Sequence, residues 1–434
     1  MADADARGAA GVAARRAAAA LLDRVLGEGL TLSDLTGAKG PLALLGDPAD
    51  RARAQGLVTD TLRHLGRADR LLKPHLRRMP PPEVRNILRL ATVEMLERGA
   101  PAHGVVGAAV EVARAGRRTA HAAGMVNAVL RKVAVEGADW AALPPQELPG
   151  WLRGRLLSAW GAKAVAAIER VHAMAPPLDL TPRDGDAAVL AGLVGGDAPP
   201  PRGLALPPGA PVAALPGYAE GAWWVQDAAA ALPARLLAPC PGERIADLCA
   251  APGGKTLQLA AAGAEVMAVD ASAERMERLR ENLARCGLAA ETVVADVLGW
   301  APEGAFDAVL LDAPCTATGT IRRHPELPFI RSGAEVKALV GLQAALIDRA
   351  LGLLRPGGRL VFCTCSLLPE EGERQIAAAL ARHPGVAADT AGALPEGADP
   401  AWCSAEGGLR LRPDYLADEG GMDGFYMARL VRPG

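Results

Sequence analysis

The sequence predicts an α/β protein in three parts: an all-α domain, a small connecting domain, and a doubly wound, mainly parallel sheet. Three observations carry that prediction. From about Gly11 to Val135, apolar residues recur at helical spacing. Proline and glycine then crowd the stretch up to residue 222. From Gln226 onward, short apolar runs alternate with helical patterns, as they do where helices connect parallel strands.

In the first part, Ala18, Leu21, Leu22, Val25 and Leu26 form one apolar stripe. Val84, Ile87, Leu88, Ala91 and Met95 form another after Pro80-Pro81-Pro82, and the patterns from Val105 to Ala115 and Ala122 to Val133 add two more helices. Pro144-Pro145 ends this part, so residues 1–145 read as a helical bundle. Residues 146–222 combine one helix, Ala164 to His172, with segments such as Pro199-Pro200-Pro201, and read as the connecting domain. In residues 223–434, strands are expected at 244–249, 265–270, 291–295, 306–311 and 358–363. Helices are expected near 256–262, 272–286, 335–354 and 370–383, with Gly287 as the glycine that stops the second of them. Leu409 to Val431 should close the sheet antiparallel.

Composition narrows the class. Half of the 434 residues are AVILMFWYC, enough for two or three globular domains. Net charge is −2, but residues 1–150 hold 21 Lys/Arg against 16 Asp/Glu and the remainder holds 26 against 33. The mildly basic first third permits an RNA contact. The seven cysteines are odd in number, all lie in the C-terminal half and include no C-x-x-C pair, so neither a disulfide framework nor a metal site is expected. The start lacks a basic region followed by an apolar one, and no run of 18 uncharged apolar residues occurs. A cytoplasmic protein with no membrane partner is expected.

The strand ends hold the candidate chemistry. Asp247-Leu-Cys-Ala-Ala-Pro-Gly-Gly-Lys-Thr256 follows a strand and opens onto a helix, and Gly253 and Gly254 let backbone N–H groups approach a ligand. It is neither G-x-G-x-x-G nor a Walker loop. Asp270 ends the next strand 17 residues after Gly253, about where a nucleoside-binding sheet keeps an acid for ribose hydroxyls. Asp296, Asp312-Ala-Pro-Cys315 and Thr364-Cys365 end the following strands. Ligands of such sheets bind at these ends, so the five polar termini read as one site.

Cys315 and Cys365 are the reactive candidates. Cys363 alternates with Cys365 and should face the core, while Cys240, Cys249, Cys286 and Cys403 read as packing residues. A thiolate suits attack on a ring carbon. Added to carbon 6 of a pyrimidine, it makes carbon 5 nucleophilic enough to take a methyl group from a sulfonium. A carboxyl at ring N3, for which Asp312 is placed, would stabilise the charge that develops.

These motifs carry a resemblance. Residues 226–434 resemble the RNA cytosine-5 methyltransferases in the 247–256 stretch, in Asp312-Ala-Pro-Cys-Thr-Ala-Thr-Gly-Thr-Ile-Arg-Arg-His-Pro-Glu326, and in Thr364-Cys-Ser-Leu-Leu-Pro-Glu-Glu371. The first third resembles the NusB-like RNA-binding domain, notably in Ala123-Gly-Met-Val-Asn-Ala-Val-Leu-Arg-Lys132. The combination is similar to the bacterial 16S rRNA cytosine-5 methyltransferases of the RsmB/Sun type. The resemblance implies a Rossmann-like S-adenosylmethionine-dependent methyltransferase domain at 223–434, behind a NusB-like domain at 1–145 and a connecting domain at 146–222. It implies donor contacts by Cys249, Ala250, Ala251, Pro252, Gly253, Gly254, Lys255, Asp270, Asp296 and Asp312. It makes Cys365 the nucleophile and Cys315 the thiol that assists release of the methylated base. The implied partner is 16S rRNA, free or early in assembly, with no DNA partner and a monomeric enzyme. The same chemistry on tRNA, or a role chiefly as an RNA-binding assembly factor, remains the alternative. Arg322, Arg323 and His324, directly after the Pro-Cys loop, are expected to meet RNA at the site mouth.

Overall fold

A computed structural model of the protein describes residues 2–36, 40–196 and 200–434. It divides into two compact units, one formed by residues up to Ala175 together with Ile321–Ser332, the other by Pro176–Thr320 together with Gly333–Gly434.

The first unit is all helical. Its longer helices are Ala2–Glu28, Pro48–Arg63, Pro82–Leu96, Ala102–Ala115, Ala123–Glu136 and Gly150–His172. The expected stripes face one core, in which Ala18, Leu21, Leu22, Val25, Val84, Leu88, Val126 and Leu130 are fully buried. Helix starts follow local chemistry. Asp47 accepts a hydrogen bond from Ala49 N with Pro48 in the first turn, and Pro82 opens its own helix. The helix expected at Ala164–His172 is the second half of a longer one that begins at Gly150 and is interrupted at Gly161, where φ is +77°. Phe329 and Ile330, from the returning segment 321–332, pack against the same core.

The second unit opens with a small antiparallel sheet that the sequence pattern did not reveal. Its strands are β1 (Leu178–Pro182), β2 (Leu204–Leu206) and β3 (Trp223–Val225), in the order β2-β1-β3. Helix Ala228–Leu237 follows, capped by the Asp227 carboxylate on Ala229 N. The main sheet comprises β4 (Arg244–Leu248), β5 (Glu265–Asp270), β6 (Glu291–Val294), β7 (Phe306–Asp312), β8 (Leu354–Thr364), β9 (Ala387–Ala388), β10 (Leu409–Leu411) and β11 (Phe425–Val431). Its order is β10-β11-β8-β7-β4-β5-β6, with β9 on β11. Strands β6, β5, β4, β7 and β8 run parallel, and β11 closes antiparallel on β8.

Both faces of the sheet are covered, with alternate residues going to opposite layers. Ala246, Leu248, Val309, Leu311, Leu360 and Phe362 meet Ile347 and Ala350 of helix Val336–Leu353. Ile245, Ala308, Leu310, Val361 and Cys363 meet Leu232 and Leu236 on the other side. Gly287, at φ +62°, ends helix Ala273–Cys286 as expected. The helix expected at 370–383 is shorter: a single 3-10 turn, Pro369–Glu371, precedes helix Glu373–Arg382, because Gly372 at φ −131° and ψ −97° breaks the path between them. Strand β4 pairs with β5 on one side and β7 on the other, so the order reverses there, and sheets of this kind bind ligands beyond the carboxyl ends of the strands at that point.

Candidate active site

The 249–255 loop follows the carboxyl end of β4 and leads into the next helix. Cys249, at φ +59°, turns the chain out of β4. Ala250 N donates to Val269 O at 3.1 Å and Ala251 N to the Asp270 carboxylate at 3.1 Å, which ties the loop to the end of β5. Gly253, at φ +106°, begins the turn into helix Gly254–Ala261, and a Cβ there would lie 2.7 Å from Leu279 Cγ. No other residue type fits both the backbone and the space. The first-turn N–H groups of that helix face the loop.

Charge at the site is mostly negative. Asp247 is fully buried, and burial pushes its carboxyl up to about 7 even though Thr256 Oγ1 donates to it at 2.6 Å. Asp270 is nearly as buried and accepts from Ala251 N and Ser272 N. Burial, then the charges of Asp312, Asp270 and Asp247, push the Cys249 thiol up to about 12. Such a thiol packs; it does not react. Among the described residues, two cations stand by these acids: Arg275 Nη1 is 3.6 Å from Asp270 Oδ2, and Lys255 sits by Asp312. Lys255 Nζ is 2.8 Å from Asp312 Oδ2, and although burial opposes its charge, Asp312 holds the ammonium above its ordinary range. Asp296, beyond β6, is exposed and accepts from Leu298 N at 3.1 Å. It lies along the same row of strand ends, and its hydrogen bonds are to the turn that follows it.

The two thiols meet. Cys315 Sγ is 3.5 Å from Cys365 Sγ, both partly buried. Backbone bonds hold the two loops together at either end, Ala313 N to Cys363 O at 2.9 Å and Gly319 N to Cys365 O at 2.9 Å. The shared hydrogen bond with Cys365 and burial push the Cys315 thiol well above its ordinary value, so Cys315 keeps its proton. Cys363, one position back on β8, is fully buried and donates to Asp312 Oδ1 at 3.6 Å. The structure thus joins Asp312 to Lys255 on one side and to the thiol strand on the other.

Two features escaped the sequence. Glu371, fully buried, accepts hydrogen bonds from Thr316 and Ser366, the residues that follow the two cysteines. It stands in the Thr364–Glu371 motif, but nothing in its spacing announces burial. Arg322, expected at the site mouth, has no exposed surface. It belongs to the helical unit, where Arg63 Nη2 donates to its carbonyl at 2.9 Å.

The groups fit S-adenosylmethionine. A glycine loop at a strand end, a ribose-distance acid on the next strand and a surplus of carboxylates suit a cationic sulfonium nucleoside. Fold and site therefore define a methyltransferase with a Rossmann-like sheet, joined to a helical unit. Residues 234–431 match the model of the 16S rRNA methyltransferase RsmB/F family, and residues 12–135 that of the NusB family. The ribosomal RNA small subunit methyltransferase B of Klebsiella pneumoniae is 37% identical over 96% of this chain and 98% of its own. That of Xanthomonas campestris is 36% identical over 98% of both. Among solved structures, PH0851 superposes over 96% of this chain and 98% of its own at TM-score 0.74 and 25% identity. A methyltransferase homologue from Pyrococcus horikoshii covers 65% of this chain and 94% of its own at TM-score 0.55 and 28% identity. The chain belongs to the 16S rRNA methyltransferase RsmB/F family. It is an rRNA methyltransferase whose methyl donor is S-adenosylmethionine.

Proposed function

We propose that the protein methylates carbon 5 of a cytidine in 16S rRNA through a covalent adduct between Cys365 Sγ and carbon 6 of the base. The observation that carries this reading is the pair of thiols 3.5 Å apart, at the strand end adjoining Asp312. A base needs one thiol to enter the adduct and help for that thiol to leave; an N- or O-methyltransferase needs neither.

Bound S-adenosylmethionine supplies an electrophilic methyl on a sulfonium. Cys249 through Lys255, Asp270, Asp296 and Asp312 would hold it. Cys365 adds as thiolate to carbon 6, and the electron pair of the carbon 5–carbon 6 bond becomes available at carbon 5 for the methyl group. The Asp312 carboxyl, steadied by Lys255 at 2.8 Å, faces ring N3 and the exocyclic amine and stabilises charge on the adduct. Loss of the carbon 5 proton to a base re-forms the double bond and breaks the bond from carbon 6 to sulfur. Cys315, which keeps its proton beside Cys365, donates a hydrogen bond to the sulfur as it departs.

We assign RNA contact chiefly to residues 1–145, substrate presentation to 146–222 and catalysis to 223–434. The enzyme acts as a cytoplasmic monomer on free or early-assembly rRNA. No helix among the described residues is long and apolar enough to cross a membrane. The test uses labelled S-adenosylmethionine, with 16S rRNA from cells lacking the enzyme offered beside tRNA. Wild type should label 5-methylcytidine in rRNA, Cys365→Ala none, and Cys315→Ala should accumulate protein–RNA adducts on denaturing gels. An inactive Cys315→Ala beside an adduct-forming Cys365→Ala would reverse the two roles. Label in tRNA alone would discard the ribosomal substrate.

A further inference from the structure

The two-thiol loops are joined at their centre by a single carboxylate. Glu371 Oε1 accepts from Thr316 N and from Gln343 Nε2, both at 3.0 Å. Its Oε2 accepts from Thr316 Oγ1 at 2.5 Å and Ser366 Oγ at 2.6 Å. Thr316 follows Cys315, and Ser366 follows Cys365. The preceding residues are tied to the same group. Gln343 Nε2 also donates to Pro314 O at 2.9 Å, and Thr364 Oγ1 donates to the Glu371 carbonyl at 3.0 Å. Both chain neighbours of both cysteines are therefore gripped by Glu371 or by its amide partner.

A fully buried carboxylate is costly, and these four donors are neutral. Four hydrogen bonds offset the cost while constraining geometry. An apolar residue would fill the space without that penalty, but it would leave the two loops free to slide. We propose that Glu371 is the positioning residue of the two-thiol site, setting the Cys315–Cys365 spacing on which release of the methylated base depends. The inference rests on the two-thiol reading of the reaction. The negative charge of Glu371 adds to the influence of Cys365 and burial in keeping the proton on Cys315.

Two variants separate grip from charge. In Glu371→Gln the amide oxygen can accept from Thr316 N and Gln343, while the amide nitrogen donates to the Thr316 and Ser366 hydroxyls, which rotate to accept. Glu371→Ala removes the grip. The first readout needs no RNA: the full-length protein is treated with diamide, which takes two hydrogens from the thiol pair, becomes the hydrazine and leaves a Cys315–Cys365 disulfide. Mass spectrometry after alkylation follows its rate. Glu371→Gln should cross-link at least as fast as wild type, since losing the charge favours the thiolate. Glu371→Ala should cross-link at least ~10-fold slower than Glu371→Gln, since effective concentration falls steeply with misplacement. In methyl transfer, Glu371→Ala should lose roughly 100-fold in kcat with KM for RNA within about 3-fold, and Glu371→Gln should recover most of it. The Glu371→Gln adduct should also decay with a pH profile displaced to lower pH. Cross-linking of Glu371→Ala at the Glu371→Gln rate overturns the proposal, as does full kcat. If that variant loses its cooperative melt, Thr316→Val and Ser366→Ala, each removing one hydroxyl from Oε2, carry the same test. A Cys365→Ala enzyme that still methylates would overturn the covalent chemistry instead, and the cross-linking rates would still decide the geometry.

Discussion

One carboxylate oxygen of Asp247 is buried without a hydrogen-bond partner among the described residues, while the other takes the Thr256 hydroxyl at 2.6 Å. Burial raises this carboxyl from the ordinary aspartate value to about 7. Its folded pKa thus exceeds the unfolded value of about 3.9, so the protonated form favours the fold below pH ~4. That stabilisation is lost as pH rises toward 7. Asp247→Asn does not titrate, and its melting temperature should gain on wild type between pH 5 and pH 8, then run parallel. A constant difference across that range would show that Asp247 is ionised in the fold throughout. At Asp312 the expected effect is on rate. Asp312→Asn should lower kcat by roughly 100-fold in the labelled-donor assay, the cost typical of removing one group that stabilises developing charge. An unchanged kcat would take Asp312 out of the chemistry. Both residues were legible as strand-end acids, because a polar group closing an apolar run is a local signal. The charge state of Asp247 was not, since its desolvation comes from residues far away in sequence, and neither was the burial of Glu371.

At the scale of elements, the parallel strands could be read because they are continuous apolar runs buried on both faces, and the Gly287 stop because it is local. What could not be read depends on distant partners or breaks a local rule. Strands β1 to β3 are short and pair across long separations, Leu178 with Leu206 and Leu180 with Val225. Helix Ala228–Leu237 carries Pro233 inside it, and Gly161 interrupts Gly150–His172. Residues 322–324, expected to meet RNA at the site mouth, belong to a segment, 321–332, that folds with the helical unit. There Leu32 N donates to Glu326 Oε1 at 3.3 Å, and Arg322 lies near His172, whose imidazole burial and then the Arg322 charge push down to about 3. Phe329→Ala should destabilise that unit by about 1–3 kcal/mol, less than a fully buried phenylalanine would cost, read as a shift in a thermal melt followed by helix circular dichroism. An unchanged melt would mean the segment contributes no packing energy. Gly319 closes the Cys315 loop, its N–H on Cys365 O, and Gly424 N returns a bond to its carbonyl at 2.8 Å. A Cβ at 319 would overlap the Gly424 carbonyl oxygen. Gly319→Ala should therefore slow methyl transfer while leaving donor binding intact, measured by calorimetry with S-adenosylmethionine; full activity would mean that the loop yields without moving the thiols.

For the whole molecule, the charge distribution decides how RNA is drawn in. The chain is nearly neutral overall, yet its first 150 residues carry five more basic than acidic side chains. On helix Ala123–Glu136 the buried residues Val126, Val129, Leu130 and Val133 turn inward, which leaves Arg131 and Lys132 exposed. Arg77, Arg78 and Arg117 are exposed as well, and Arg118 is paired with Glu83 at 3.1 Å on a side chain open enough to solvent that the pair holds it weakly. With only 14 aromatic residues in the protein, stacking platforms are scarce, and the RNA contact proposed for residues 1–145 would draw chiefly on these charges. Replacing Arg131 and Lys132 by alanine removes two such charges. The slope of log affinity for 16S rRNA against log salt should then become shallower by about 1.4, at roughly 0.7 per contact on single strands. Since those side chains lie in the helical unit, the donor affinity and the Cys315–Cys365 cross-linking rate should not change. A slope unaltered from wild type would move the RNA-binding face elsewhere on the protein, and a lost cross-link would mean that the substitution had disturbed the catalytic unit rather than its grip on RNA.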